Sequence, residues 1–187
     1  MLLLTGATGY LGRALCAALR TRGLKARVAG RQAPSGWEHD WGFYDQESPS
    51  MPSETLFRDV TCVVHCGGLA HRLASRADYE RVNVEATRQL ADAAGRMGVP
   101  HFLFISSLNT VPAAAHLADS DATFYPEPND GYAASKWQSE IALKAICQRY
   151  EQALTIIRPA LIYDKELTAN LAKLAHLMRW WPAGLRS

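Results

Sequence analysis

The sequence predicts an α/β fold: a doubly wound parallel sheet with helices on both faces. Three observations carry this. Short apolar runs of strand length alternate with longer helical patterns along most of the chain, and strands alternating with helices are joined by right-handed crossovers into a parallel sheet. The runs Val63-Val64, Phe102-Leu103-Phe104-Ile105 and Leu154-Thr155-Ile156-Ile157 are continuously apolar, the pattern of strands buried on both faces. The first run, Leu2-Leu3-Leu4, passes straight into a glycine turn and a helix.

Taken in order, residues 2–4 form the first strand and residues 10–22 the first helix. A second strand spans 25–29. The pattern weakens between 30 and 58, where Trp41, Phe43 and Tyr44 mark a third, poorly formed strand. Then come a strand at 61–65, a helix at 75–97, a strand at 101–105, a helix at 131–150 and a strand at 154–158. The loop from Asn109 to Asp130 is long, which signals function or mobility. A last helical pattern, 167–180, ends at the adjacent Trp180 and Trp181. There are no internal repeats and no low-complexity tract.

A chain of 187 residues suits one domain with a sizeable core. Hydrophobic content of 48% and charge of 20% are ordinary for a globular protein. A net charge of +2 gives no reason to invoke nucleic acid or a membrane surface. No apolar run approaches the ~20 residues that span a bilayer, and the first run is too short for a signal peptide. Cys16, Cys62, Cys66 and Cys147 are scattered, as free thiols of a reducing cytoplasm are. Cys62, His65, Cys66 and His71 suggest zinc, but neighbours on a strand point to opposite faces, so His65 and Cys66 diverge and no metal site is expected.

The glycine turn reads Thr5-Gly6-Ala7-Thr8-Gly9-Tyr10-Leu11-Gly12. Its glycines can take positive φ and admit a ligand close to the backbone. The helix that follows directs unpaired N–H groups and a partial positive charge at the turn, which suits a pyrophosphate. The spacing is Gly-x-x-Gly-x-x-Gly, not the Gly-x-Gly-x-x-Gly of the usual dinucleotide fingerprint. A second motif, Tyr132-Ala133-Ala134-Ser135-Lys136, places Tyr132 and Lys136 on one helix face. A phenol with a pKa of about 10 is a poor acid or base at neutral pH, and a neighbouring ammonium lowers it towards useful proton transfer. Third, the strand His101-Phe102-Leu103-Phe104-Ile105 ends in Ser106-Ser107, and open α/β sheets bind ligands at the carboxyl ends of their strands.

These motifs, with Arg158-Pro159-Ala160-Leu161-Ile162-Tyr163, resemble the extended short-chain dehydrogenase/reductases, Rossmann-like NAD(P)-binding proteins. The NAD-dependent epimerase/dehydratase group acting on nucleotide sugars is the most similar. Val82-Asn83-Val84-Glu85-Ala86-Thr87 and the stretch from Asp164 to Asn170 resemble the bacterial UDP-sugar 4-epimerases and 4-keto reductases of surface-polysaccharide synthesis.

The resemblance implies a nucleotide-sugar substrate and hydride transfer at a Ser/Tyr/Lys site. Tyr132 would move the proton of a sugar hydroxyl and Ser107 would hydrogen-bond the same oxygen, with Ser106 as its rival. Lys136 would hold the nicotinamide ribose and lower the pKa of Tyr132. Gly6, Thr8, Gly9, Tyr10, Leu11 and Gly12 would line the pyrophosphate. Gly67, Gly68 and Leu69 would line the cofactor channel, and Pro159 would flank the nicotinamide. Asn170 resembles a substrate contact. Asn83 matches a family asparagine that is structural or catalytic, and Asp45 an acid that meets adenine.

At the ribose end the second strand runs into Gly30-Arg31. The acid that holds the 2′-hydroxyl of NAD is absent there, and Arg31 offers a donor fork to a 2′-phosphate. NADP(H) is therefore favoured over NAD. Arg13 reads as a surface residue or a second phosphate contact. Val111-Pro112-Ala113 and Asp164 depart from the family pattern, and no acidic pair follows Ser107, which disfavours a dehydratase.

Family members usually continue well beyond this point. The resemblance thus implies residues 1–165 as an NAD(P)-binding domain, residues 166–187 as the start of a truncated substrate region, and dinucleotide binding without sugar turnover by the chain alone. The tryptophan pair would then form an apolar patch that points to self-association, a homodimer in its simplest form. The reading from a different class is a dinucleotide-binding sensor or interaction module without chemistry.

Overall fold

In the computed structural model the described residues are 1–48, 51–70, 74–112, 125–160 and 162. The strands are β1 (Leu2–Thr5), β2 (Ala26–Gly30), β3 (Trp41–Phe43), β4 (Cys62–His65), β5 (His101–Ile105) and β6 (Ala153–Ile157). The helices are α1 (Tyr10–Thr21), α2 (Arg76–Tyr79), α3 (Ala86–Arg96) and α4 (Gly131–Arg149). Among the described residues the strands make one six-stranded sheet in the order β3-β2-β1-β4-β5-β6, parallel throughout. The chain starts mid-sheet, winds outward through β2 and β3, then crosses back to wind the other way. The point of reversal lies between β1 and β4, where open sheets form their binding crevice.

The two faces are visible in β1, whose successive side chains point opposite ways. Leu3 packs with Val63, Phe102, Phe104, Leu90 and Leu143, on the face covered by α3 and α4. Leu4 packs with Val28, Cys16 and Trp37, on the face covered by α1. The weak third strand is real: Trp41 pairs with Val28, and its indole Nε1 donates to the Gly30 carbonyl at 3.1 Å.

Two expectations need correction. The apolar runs of β5 and β6 predict burial on both faces. In β5 only Phe102 and Phe104 are fully buried, while Leu103 and Ile105 are half-buried. β6 pairs only with β5 among the described residues, and Ile157 is 43% exposed. Its place at the end of the order of described strands is a property of topology, which an isolated run does not carry. The single helix expected over 75–97 is α2, a wider π-helical stretch at Glu80–Glu85, and α3. Ser75 and Asp78 close a capping box at its start. Carbonyls in and just after the widened stretch are taken up by other elements: Gln46 Nε2 donates to Val82 O at 2.9 Å, Ser139 Oγ to Asn83 O at 3.0 Å and Tyr44 Oη to Ala86 O at 3.2 Å.

All four cysteines are free thiols, Cys16 and Cys147 buried and Cys62 and Cys66 partly so. No described helix is long and apolar enough to cross a membrane. The helical pattern at 167–180, with Trp180 and Trp181, lies outside the described residues.

Phe102 is fully buried at the centre of the larger cluster. Phe102→Ala is expected to cost about 3–5 kcal/mol through lost transfer energy and an unfilled cavity. Urea unfolding of the two proteins, followed by circular dichroism, measures it.

Candidate functional site

The glycine turn is built by close backbone approach. Gly6 has φ +72°, and a Cβ on it would lie 2.6 Å from Gly67 N, just beyond the end of β4. A Cβ on Gly12 would lie 2.0 Å from Gly6 O, so α1 seats directly against the turn. Gly9 N–H donates to Gly6 O at 3.0 Å, and Gly9 occupies the N-cap of α1. Thr8 and Gly9 are exposed. Arg13 donates through Nη1 to Thr8 O at 2.7 Å, so it braces the turn from the surface. This cradle has the close backbone and helix N-terminus that a pyrophosphate requires.

Asn83 clamps the channel loop. Its Oδ1 accepts from Leu69 N at 2.7 Å, and its Nδ2 donates to Leu69 O at 3.1 Å and Ser135 Oγ at 2.9 Å. Every polar atom of this amide is spent on backbone or on α4, which is a structural role. Gly68 lies beneath it: a Cβ there would meet Asn83 Oδ1 at 3.0 Å and Lys136 Nζ at 3.4 Å.

Tyr132 and Lys136 lie in the first turns of α4, whose N-cap Asp130 accepts from Ala133 N at 2.8 Å. Lys136 is buried, and its Nζ donates to Ile105 O at 3.0 Å. The same ammonium lies 4.5 Å over the Phe104 ring. Burial lowers its pKa to about 8, against the opposing pull of Cys66 and Glu140. The Tyr132 hydroxyl is held above the usual phenol range, first by burial and then by Tyr79 and Asp130.

The two serines separate by their partners. Ser106 Oγ donates to Glu140 Oε1 at 2.5 Å and is buried. Glu140, fully buried, also accepts from Thr110 Oγ1 at 3.2 Å, Arg158 Nε at 3.0 Å and Arg158 Nη2 at 2.7 Å. Ser107 is half-buried, and its Oγ accepts a long 3.2 Å bond from Asn109 N–H as the turn Leu108–Thr110 begins. Its hydroxyl proton is thus the more available to a ligand. Leu108 N donates to Pro159 O at 3.1 Å, which joins the segment after β6 to the turn after β5. The sequence reading passed over Glu140. Its available signal was a core-facing stripe of α4 that turns polar at Ser135, Lys136, Ser139 and Glu140 before becoming apolar at Leu143 and Ile146.

Just past the end of β2 Arg31 is paired, with Nη1 3.2 Å from Glu47 Oε2. Asp45 follows directly on this edge of the sheet and accepts the Glu47 N–H through Oδ1 at 3.0 Å. A cleft of about 600 Å³ borders the start of α4, lined by Arg76, Tyr79, Glu127, Asp130, Gly131 and Ala134. The Tyr79 and Tyr132 rings lie 6.3 Å apart. Among the described residues there is no metal-binding cluster. His65 is a core residue between Thr5 Oγ1 at 2.5 Å and Thr87 Oγ1 at 2.8 Å. His71, Asp164 and Asn170 lie outside the described residues.

With this geometry in place, the comparisons are specific. The sequence model of the Epimerase family, described as the NAD dependent epimerase/dehydratase family, matches residues 2–181. A UDP-glucose 4-epimerase of Vibrio cholerae is 30% identical over 189 residues, spanning 95% of this chain and 56% of the relative. A short-chain dehydrogenase/reductase superfamily protein from Agrobacterium tumefaciens, solved with bound NAD, superposes with a TM-score of 0.69 at 31% identity, over 84% of this chain and 48% of that one. The UDP-glucose 4-epimerase of Thermus thermophilus, solved with NAD, gives 0.63 at 26% identity, over 84% and 54%. The chain spans about half the length of this Vibrio cholerae relative and of an uncharacterized Escherichia coli protein, YbjS, that it also matches.

The buried His65 yields a pH prediction. Burial, assisted by Lys136, lowers its pKa from 6.5 to about 3. Between those values the unfolded chain binds the proton and the folded chain does not, so this group's stabilisation is full above pH 6.5 and is lost as pH falls towards 3. His65→Gln keeps a donor and an acceptor for the two threonines. It is expected to flatten the slope of unfolding free energy across that window, measured by urea titration at stepped pH.

Proposed function

The chain belongs to the NAD dependent epimerase/dehydratase family, and we propose that it binds a nicotinamide dinucleotide and serves epimerisation or 4-keto reduction of a nucleotide sugar. The observation that carries this reading is the convergence at the switch point. Gly6 meets Gly67 there, and Lys136 reaches the carbonyl that immediately precedes Ser106-Ser107.

The residues fit the dinucleotide. A Cβ at Gly6 or Gly12 would collide with backbone, so the turn packs without side chains against the N-terminus of α1, where a pyrophosphate would sit. The backbone of Gly67, Gly68 and Leu69, fixed by Asn83, would wall the channel. Pro159 would flank the nicotinamide. Arg31 would take a 2′-phosphate, which favours NADP(H), and Asp45 would meet the adenine. When bound, the nicotinamide supplies hydride transfer.

The chain's own residues supply the proton chemistry. Tyr132 moves the proton of the sugar hydroxyl, and Ser107 hydrogen-bonds the same oxygen. Lys136, with a pKa of about 8, is mostly protonated at neutral pH and able to stabilise a phenolate. Glu140 keeps Ser106 occupied and so leaves the second serine for substrate. The substrate class is supported by relatives that are UDP-glucose 4-epimerases.

Two measurements test this. Nicotinamide fluorescence titration is expected to show NADPH binding more tightly than NADH. Arg31→Ala should weaken NADPH about tenfold, the lower end of what a hydrogen bond to a charged group supplies, and leave NADH nearly unchanged. In the longer protein that the resemblance implies, assayed with UDP-glucose, UDP-N-acetylglucosamine and a UDP-4-keto sugar, Tyr132→Phe should lower turnover at least about 10²-fold with dinucleotide affinity preserved. Retained turnover in that variant removes Tyr132 from the mechanism.

A further inference from the structure

We propose that Glu47 tunes the choice between the two dinucleotides by competing for the guanidinium of Arg31. This rests on the reading of Arg31 as the 2′-phosphate contact and deepens it. β2 ends at Gly30, and Arg31 follows at the carboxyl edge of the sheet. The residue that reaches it comes from the neighbouring strand's connection: Gly30 pairs with Phe43 of β3, and Glu47 lies shortly after that strand with Oε2 3.2 Å from Arg31 Nη1.

Glu47 is held in place by its own backbone. Its N–H donates to Asp45 Oδ1 at 3.0 Å, and its carbonyl accepts from Arg81 Nη1. A braced turn therefore presents the carboxylate. Arg81 is itself paired with Asp78 at 3.0 Å, which ties the brace to α2.

The chemistry of the two ligands differs at this spot. A 2′-phosphate needs the planar donor fork of an arginine. To bind, it must displace a carboxylate already in that fork and tolerate that carboxylate's charge. A 2′-hydroxyl carries no charge and donates to a carboxylate, the part an acid after the second strand ordinarily plays. This chain has no acid there, and Glu47 brings one from the next strand. Arg31 thus favours the phosphate and Glu47 the hydroxyl. The pair is exposed, at 58% and 41% for the two side chains, so it opens easily and acts as a bias rather than a lock.

The test is fluorescence titration of NADPH and NADH against the 187-residue chain and three variants: Glu47→Gln, Arg31→Ala and the pair. Glu47→Gln should tighten NADPH about two- to fivefold, the range of an exposed ion pair, with NADH unchanged or weaker. In the Arg31→Ala background the same substitution should yield no gain. An unchanged NADPH-to-NADH ratio in Glu47→Gln, while Arg31→Ala still loses NADPH affinity, overturns the role of Glu47 and leaves the reading of Arg31 standing. A full gain that persists without Arg31 also overturns the competition, since it would be direct repulsion of the phosphate. If Arg31→Ala leaves NADPH untouched, the underlying reading fails and this proposal with it. Thermal melts of the variants should match the parent, because both side chains are at the surface.

Discussion

The contact of two backbones, Gly6 with Gly67, is the constraint on which the rest of the site depends. A side chain on Gly6 would lie 2.6 Å from the Gly67 nitrogen, so the turn after β1 and the loop after β4 meet with nothing between them. This occurs where the strand order reverses, the place at which the loops of a doubly wound sheet diverge and leave a crevice. The neighbouring register is secured by Cys66 N donating to Thr5 O at 3.3 Å and by the bond between Thr5 and His65. Gly12, pressed against Gly6 O, then fixes where the N-terminus of α1 points. One close approach therefore sets the position of the turn, the channel loop and the helix dipole together.

α4 carries the second half of the site by changing character along its length. Its apolar end, with Leu143, Ile146 and Cys147, packs into the core. Its polar end buries Ser135, Lys136, Ser139 and Glu140. A buried carboxylate carries a large desolvation cost unless donors surround it. Glu140 has Ser106, Thr110 and the Arg158 fork. These donors come from the ends of β5 and β6 and the turn between, so the pairing that makes the charge tolerable also locks three elements into one geometry. Asn83 does the same for the loop at Leu69. Groups held this way meet a ligand already placed, which is how an orientation advantage is gained.

The two ends of the crevice use different physics. The glycine turn is made of backbone and closed sterically, and a side chain at Gly6 or Gly12 collides with the main chain. The end of β2 carries an exposed and individually weak ion pair, Arg31 with Glu47, beside the half-buried Asp45.

Much of this was legible in the residues. Strand positions were recovered to within a residue or so because an apolar run and its punctuation are local properties of the backbone. The turn at Gly6 and the shared face of Tyr132 and Lys136 follow from spacing alone. The alternatives the sequence left open were those decided by partners far along the chain. Ser106 and Ser107 are chemically identical until Glu140, 34 positions later, takes the first. The partners of Asn83 are the Leu69 backbone and Ser135, 14 and 52 positions away, which take up its amide. The widening at Glu80–Glu85 holds because Gln46 and Ser139 accept the duty of its carbonyls. Lys136 meets the Ile105 carbonyl because the end of β5 brings it within 3.0 Å. Sequence by itself determined the alternation of elements, the glycine turn and the chemical types at the site. Tertiary structure alone decided strand order, the partner of each polar group and hence which groups remain free, because a hydrogen bond's direction is settled only when both of its ends are in place.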